Sequence, residues 1–384
     1  MTGSALNGIR VLELGGGDSY AVPYATRLLA DLGAEVVMVE PPEGHALRRV
    51  PGAEGRDAHA RRNVFSFLAG GKRSVVLPDP HHRSLGELLS WAEVVVDDLG
   101  VDGLAALGFD DDELRRLRPD SVTVHVSDWG DSGPYRDLPA TALTLQATAG
   151  WVTTRNEPGA PLVQVGGRMH EWVAGAFIAA AVMTGRAAVR KTGIGVCVDF
   201  SVFECIHSTI PYTRLQLDTN VELGLGPTVT VFTPFGVRPC KDGWVGINIL
   251  TGRQWVDACL VTDLGEFADQ QQELGRGEGE IARFESRLLK WLSRRTVKEV
   301  VELGQAMRIP VVPVCPGGSV DLLPQWTQRE FFVEVDGSDG TYMCPGPPWR
   351  LGATPPHRGL RAPVLGEHTA GMLDDLDQVA GSKR

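Results

Sequence analysis

Gly8-Ile-Arg-Val-Leu-Glu-Leu-Gly-Gly-Gly17, followed by Pro23-Tyr-Ala-Thr-Arg-Leu-Leu-Ala-Asp-Leu-Gly-Ala-Glu-Val-Val-Met-Val-Glu-Pro-Pro42, reads as a strand, a turn, a helix and a second strand. Val11, Leu12 and Leu14 form an apolar run that ends in three glycines, and Leu28, Leu29 and Leu32 recur at the spacing of one helical face. Gly33 stops the helix, and Val36 to Val39 form the second run. Two parallel strands joined by a helix place the glycine turn at the carboxyl edge of a sheet, where open α/β folds hold their ligands. The turn lacks the G-x-G-x-x-G spacing, and Pro23 interrupts it, which disfavours a nicotinamide cofactor.

Outward from this unit, strands at Ser74–Leu77, Val94–Asp97 and Ser121–Val126 alternate with helices at Ser84–Trp91 and Asp111–Leu117, continuing a parallel, doubly wound sheet. An apolar segment follows, Trp172 to Gly185, which at 14 residues is too short to cross a bilayer and reads as a buried helix. Then come a strand at Cys197–Phe200 and a helix to about Leu217. Beyond Gly224-Leu-Gly-Pro227, runs at Val229–Val237 and Trp244–Ile249 read as a hairpin turning at Lys241-Asp-Gly243, the start of a smaller domain. Helical patterns at Arg253–Val261, Ala282–Ser293 and Val297–Gln305 precede an extended return at Pro310–Val314, and the last sixty residues read as a Pro- and Gly-rich wrapping tail.

Composition narrows the function classes. A chain of 384 residues exceeds one typical core, and a net charge of −11 argues against general affinity for nucleic acid or anionic membrane. Six cysteines stand scattered without C-x-x-C pairs, which disfavours a disulfide framework and a zinc site, so no metal is expected and the thiols read as reduced and mostly buried. The N-terminus carries no signal-peptide pattern, and the expected location is cytoplasmic.

Several stretches together resemble the class III CoA-transferases (CaiB/BaiF type), the family of formyl-CoA and carnitine CoA-transferases and α-methylacyl-CoA racemase. They are the N-terminal unit, Gly71-Lys-Arg-Ser74, Gly133-Pro-Tyr-Arg136, Lys191-Thr-Gly-Ile-Gly195 with Val198-Asp199, Phe331-Phe-Val-Glu-Val335, Pro345-Gly-Pro-Pro348, Ala353-Thr-Pro-Pro356 and Leu365-Gly-Glu-His-Thr369. The resemblance runs from Gly8 to Leu373. It implies an α/β fold with a Rossmann-like, CoA-binding large domain built from residues 1–218 and 319–384, a smaller α+β domain over residues 225–318, and an interlinked, ring-like homodimer. It further implies CoA and acyl-CoA as substrates, carboxylic acids as partners, and no permanently bound cofactor.

The family's transferases place an aspartate nucleophile in the turn that opens the helix after a strand ending near Val165; here that position is Glu171, within Val165-Gly-Gly-Arg-Met-His-Glu-Trp-Val-Ala-Gly175. The residues by themselves point to the same place, since a carboxylate in the first turn of an apolar helix lies beside the positive helix end and can attack a carbonyl, although such a residue can also merely complement the dipole. Glutamate adds roughly 1.5 Å of reach. A second family acid, 29 positions earlier, falls on Ala142, and the racemase histidine falls on Thr141, so two-base proton transfer lacks one base. His170, Thr141 and Gly226 are candidates for orienting substrate, Gly226 lying in a glycine loop expected to cover the thioester. By position, CoA contacts fall on Gly17, Asp18, Ser19, Leu77, Asp98, Leu99 and Leu107, with Arg48, Arg49, Lys72 and Arg73 as phosphate partners, Lys72-Arg73 being alternatively a solvated strand entrance. The implied activity is CoA transfer through a covalent intermediate at Glu171. The alternatives are an altered homologue acting as an acyl-CoA-binding subunit, paired with an intact relative in a hetero-oligomer, and an acid/base isomerase, racemase or hydratase acting on an acyl-CoA.

Overall fold

The computed structural model describes residues 3–49, 64–77, 83–100, 102–153, 161–210, 215, 218, 219, 221, 222, 234–275, 279–337 and 340–381. The chain divides into two compact units, one from Met1–Thr153, Val163–Pro211 and Gln328–Arg384, the other from Thr154–Leu162 and Tyr212–Thr327.

The first unit is organised by six strands, β1 (Arg10–Leu14), β2 (Glu35–Glu40), β3 (Arg73–Val76), β4 (Val94–Asp97), β5 (Val122–Ser127) and β6 (Val196–Ser201). They form one parallel sheet in the order β3-β2-β1-β4-β5-β6. The order reverses between β1 and β4, so the loops after these two strands flank the crevice in which doubly wound folds bind ligands. The N-terminal reading is therefore realised element by element. Helix α1 (Ala21–Asp31) buries ten of its residues. Helices α2 (Arg83–Trp91), α3 (Gly103–Ala106), α4 (Asp111–Leu117), α5 (Ala142–Thr148), α6 (Met169–Thr192) and α7 (Val202–Ser208) complete the alternation.

One core lies on the sheet face covered by α1 and α6, from Val11, Val94, Val122 and Val124 to Ile178 and Val182. The other face is closed by α2 and by a C-terminal helix, Thr369–Gly381, whose Met372 and Leu376 join Leu12, Val37, Val75 and Leu88. The tail is thus more structured than its composition suggested. It contains a hairpin of β10 (Phe332–Gly337) and β11 (Gly340–Pro345), and its Leu365–Thr369 motif covers edge strand β3: His368 N–H donates to Ser74 O, and Val76 N–H to Thr369 Oγ1. Such covering satisfies an otherwise open edge.

Helix α6 also departs from expectation. It has 24 residues and is the one described helix long and apolar enough to cross a membrane. Here it packs along α1 and the sheet: a Cβ on Gly175 would lie 2.7 Å from Ala21 O, and one on Gly185 2.7 Å from a Val122 methyl. Its opposite face, including Phe177 and Met183, is exposed rather than buried. The helix after β6 spans Val202–Ser208, and most of the expected continuation to about Leu217 lies outside the described residues.

The second unit pairs β7 (Gly236–Pro239) with β8 (Trp244–Ile247) as an antiparallel hairpin, and β9 (Val311–Pro313) adds antiparallel to β8. Helices at Gly252–Val261, Ile281–Leu292 and Val297–Ala306 supply its own core, with Trp255 stacked on Phe284 at 5.5 Å. Residues 229–233 of the expected first hairpin strand, and the Gly224–Pro227 loop with Gly226, lie outside the described residues.

Candidate active site

Glu171 is the third residue of α6, a position reached because Gly167 and Arg168 both take left-handed backbone, φ +70 and +54, immediately before the helix. A charged residue in that conformation is strained, and such strain clusters at functional sites. The turn aims the carboxylate at the start of α1, where Tyr20 N–H donates to Oε2 at 2.9 Å. Glu171 therefore sits where the amino ends of two helices converge, each favouring negative charge. Arg168 grips it in a bidentate fork, Nε to Oε2 at 2.7 Å and Nη2 to Oε1 at 2.6 Å, while Nη1 reaches Asp18 Oδ2 at 3.2 Å. The same guanidinium lies over the Tyr20 ring, 4.4 Å from its centroid. Burial works against the Arg168 charge, yet the facing carboxylates of Glu171 and Asp18 raise its pKa above the ordinary arginine value.

The carboxylate is 10 % exposed, and two further groups face it. His170 Nε2 stands 3.7 Å from Glu171 Oε1, and burial, against the pull of Glu171, holds the imidazole below its ordinary range. Asp128, just beyond β5, is pushed up by burial and by the Glu171 charge. Sequence reading passed over Asp128; its position directly after a parallel strand was the available signal.

Of the expected CoA contacts, the structure gathers Asp18 and Ser19 beside Glu171; Ser19 Oγ accepts from Ala21 N–H at 3.2 Å. Gly17 lies in the same turn, and Gly16 O accepts from Ala46 N–H at 3.2 Å, drawing residues 44–49 against it. Asp98 crosses beneath this turn. A Cβ on Gly15 would collide with its Oδ1 at 1.9 Å, so glycine is required there. Leu99 is exposed at the same edge, whereas Leu77 is buried in the core and Leu107 is packed against it.

The expected phosphate partners need correction. Lys72 is fully buried, its Nζ 2.7 Å from Glu13 Oε2 and 2.9 Å from Pro23 O. Arg48 is committed to Glu40 through two bonds of 2.6 and 2.7 Å and stacks over Phe65. Arg73 opens β3, at the opposite edge of the sheet, and pairs with Glu35 at 2.7 Å. Only Arg49 of that set presents an exposed guanidinium at the ligand edge, where it donates to Gly44 O.

Thr141 caps α5, its hydroxyl accepting from Thr144 N–H, and Ala142 is the first helical residue, so the two positions serve as a helix start. The segment before α6 is not a strand. Among the described residues, 161–165 find no strand to pair with; instead the buried Gln146 amide does a strand's work, accepting from Val165 N–H at 2.8 Å and donating to Val165 O at 3.1 Å. Gln146 Nε2 also stands 3.5 Å from His170 Nδ1.

The model of CoA-transferase family III matches residues 6–369. The chain is 27% identical over 396 residues to a succinate–glutarate CoA-transferase of Agrobacterium fabrum, covering 97% of this chain and 96% of that one. It is 26% identical to a succinyl-CoA:mesaconate CoA-transferase of Haloarcula marismortui, covering 99% and 98%. A CAIB/BAIF family protein from Brucella suis has the same fold, with a TM-score of 0.80 at 22% identity over 98% of this chain and 100% of the other.

Proposed function

The chain belongs to CoA-transferase family III, and from that premise we propose that it moves CoA from an acyl-CoA to a carboxylic acid with Glu171 as the covalent carrier. In this reading a Glu171 oxygen attacks the thioester carbonyl, forming a mixed anhydride and releasing CoA thiolate. The thiolate then attacks the Glu171 carbonyl, expelling the donor acid and leaving a glutamyl-CoA thioester. The acceptor carboxylate attacks that thioester to form a second anhydride, and the thiolate takes the acceptor acyl group, restoring free Glu171. No net proton is consumed, which suits a site whose acids are balanced by one arginine and two helix ends.

The observation that carries this reading is the position of Glu171 beside the turn of residues 17–19, at the point where the strand order of the sheet reverses. Arg168 has two tasks in it: it neutralises the resting carboxylate, and once it swings away its planar fork suits the carboxylate of an incoming acid. Gly17, Asp18, Ser19, Asp98 and Leu99 border the CoA crevice, with Arg49 as the phosphate contact.

Both relatives named above have succinate or succinyl-CoA in their names, so succinyl-CoA is the donor to test first. Transfer from succinyl-CoA to a panel of dicarboxylates, followed by chromatography of the product thioesters, is expected to give a new acyl-CoA that the Glu171→Gln variant does not make. Equal turnover by that variant would remove Glu171 from the mechanism. A second reading is favoured by the Arg168 fork, which occupies both carboxylate oxygens: a subunit that binds acyl-CoA without turning it over. It predicts binding of acyl-CoA with no new thioester.

A further inference from the structure

Away from Glu171, on the β4–β5–β6 side of the sheet, three side chains with metal-binding chemistry meet. His125 of β5 and Cys197 of β6 are 72 positions apart in sequence. In the sheet they are diagonal neighbours, because Thr123 pairs with Cys197 and His125 with Asp199, so all four side chains leave the same face. Asp111 of α4 closes over them. Its Oδ1 lies 3.5 Å from His125 Nε2 and 3.4 Å from Cys197 Sγ, and the three ligand atoms fall within 4.8 Å of one another. A tetrahedral zinc ion with bonds of about 2.0–2.3 Å holds its ligand atoms about 3.3–3.8 Å apart.

We propose that Asp111, His125 and Cys197 form a binding site for a zinc-class divalent cation, with Asp97 as the orienting partner of the histidine. A thiolate, an imidazole and a carboxylate are a donor set that zinc favours over magnesium or calcium, which prefer oxygen alone. The second observation is independent of the three ligands. Asp97, paired in register with His125 on the neighbouring strand, has a side chain only 2% exposed, and its Oδ2 stands 2.8 Å from His125 Nδ1. Asp97 Oδ2 is buried without a partner in hydrogen-bond alignment, and it lies at the ring nitrogen opposite Nε2, the place from which an outer carboxylate orients a histidine ligand once a metal fixes the ring. The face opens into a cavity of about 500 Å³ bordered also by Asp102, Asp131 and Asp199, with space for water as the fourth ligand. Asp199, whose Oδ1 accepts from Asp131 N–H at 3.1 Å, is not among the ligand atoms that meet within 4.8 Å. Binding displaces the Cys197 thiol proton to solvent, and the ion ties α4 to edge strand β6.

The test uses the full-length protein stripped of metal, titrated with Zn²⁺ by calorimetry and with Co²⁺ by absorption spectroscopy. The expected result is one equivalent of each ion, with a thiolate-to-cobalt charge-transfer band and the intense visible bands of a tetrahedral site. Cys197→Ser abolishes the charge-transfer band and Cys240→Ser keeps it, while Asp97→Asn weakens zinc binding about 10–100-fold. Cys197 and Asp111 are exposed, so Cys197→Ser and Asp111→Asn are expected to fold as the parent does, with unchanged circular dichroism. No stoichiometric binding, a charge-transfer band that survives Cys197→Ser, or zinc affinity unchanged in both Asp111→Asn and His125→Ala would overturn the proposal.

Discussion

Burial beneath the β1 turn pushes the Asp98 carboxyl up to about 7, and the nearby Glu13 and Asp97 charges add to the rise. Its folded pKa thus exceeds the unfolded one, so between the ordinary carboxylate range and neutrality the folded chain holds a proton that the unfolded chain has lost. The associated stability is complete at low pH and disappears as pH rises through about 7. Asp98→Asn, which cannot ionise, is therefore expected to be more stable than the parent at pH 8, by on the order of 1–3 kcal/mol, with the gap closing at pH 5. Thermal melts at the two pH values check this, and a gap that is constant or widens at pH 5 contradicts it. Arg168 separates two effects, because it is both the clamp on Glu171 and a left-handed residue. Arg168→Ala loses the clamp and keeps the strain, at a cost of about 1–3 kcal/mol. Arg168→Gly loses the clamp but relaxes the backbone, so it should be more stable than Arg168→Ala by about 1 kcal/mol in urea denaturation. The reverse order would mean that the turn is not strained.

At the scale of elements, α6 fixes where Glu171 stands by its close approach to α1 at Gly175, where an added Cβ would also lie 2.9 Å from the Tyr24 ring. Gly175→Val forces the two helices apart and is expected to lower the urea midpoint by the equivalent of about 1–3 kcal/mol; an unchanged midpoint would show that the helices can shift freely. The core of α6 was legible in the apolar run from Trp172 to Gly185, and Gly193 in left-handed conformation marks its end as a C-terminal glycine should. Its first turn was legible around Glu171, but the left-handed Arg168 before it was not, because that residue offers no capping hydrogen bond and carries no sequence signal for such a backbone. The supposed strand near Val165 misled for a related reason: Leu162, Val163 and Val165 have the composition of a strand, but a strand needs a neighbour, and the partner is one glutamine side chain. The strands and the helices α2 and α4 named from the first 130 residues fall within two or three residues of their ends, since each period there is set by burial against one sheet, whereas the short α3 (Gly103–Ala106) was not foreseen.

Across the whole molecule, what the sequence conceals is pairing between distant residues. Lys72, Arg48 and Arg73 look like free cations in the string, and each is committed to a carboxylate. Cys197 has no histidine near it in the string and has one on the adjacent strand. Tyr20 and Glu171, 151 positions apart, meet at one hydrogen bond because α1 and α6 cover the same face of the sheet. The resemblance points to the Glu171 carboxylate, and the fold supplies its charge partners, Arg168 and the Tyr20 N–H. The direct measurement of its reactivity is to mix the protein with succinyl-CoA, trap with hydroxylamine and map the modified peptide by mass spectrometry. The account predicts a stoichiometric hydroxamate on Glu171 that requires the acyl-CoA. Acyl-CoA bound at full occupancy with an unmodified Glu171 would contradict the covalent mechanism.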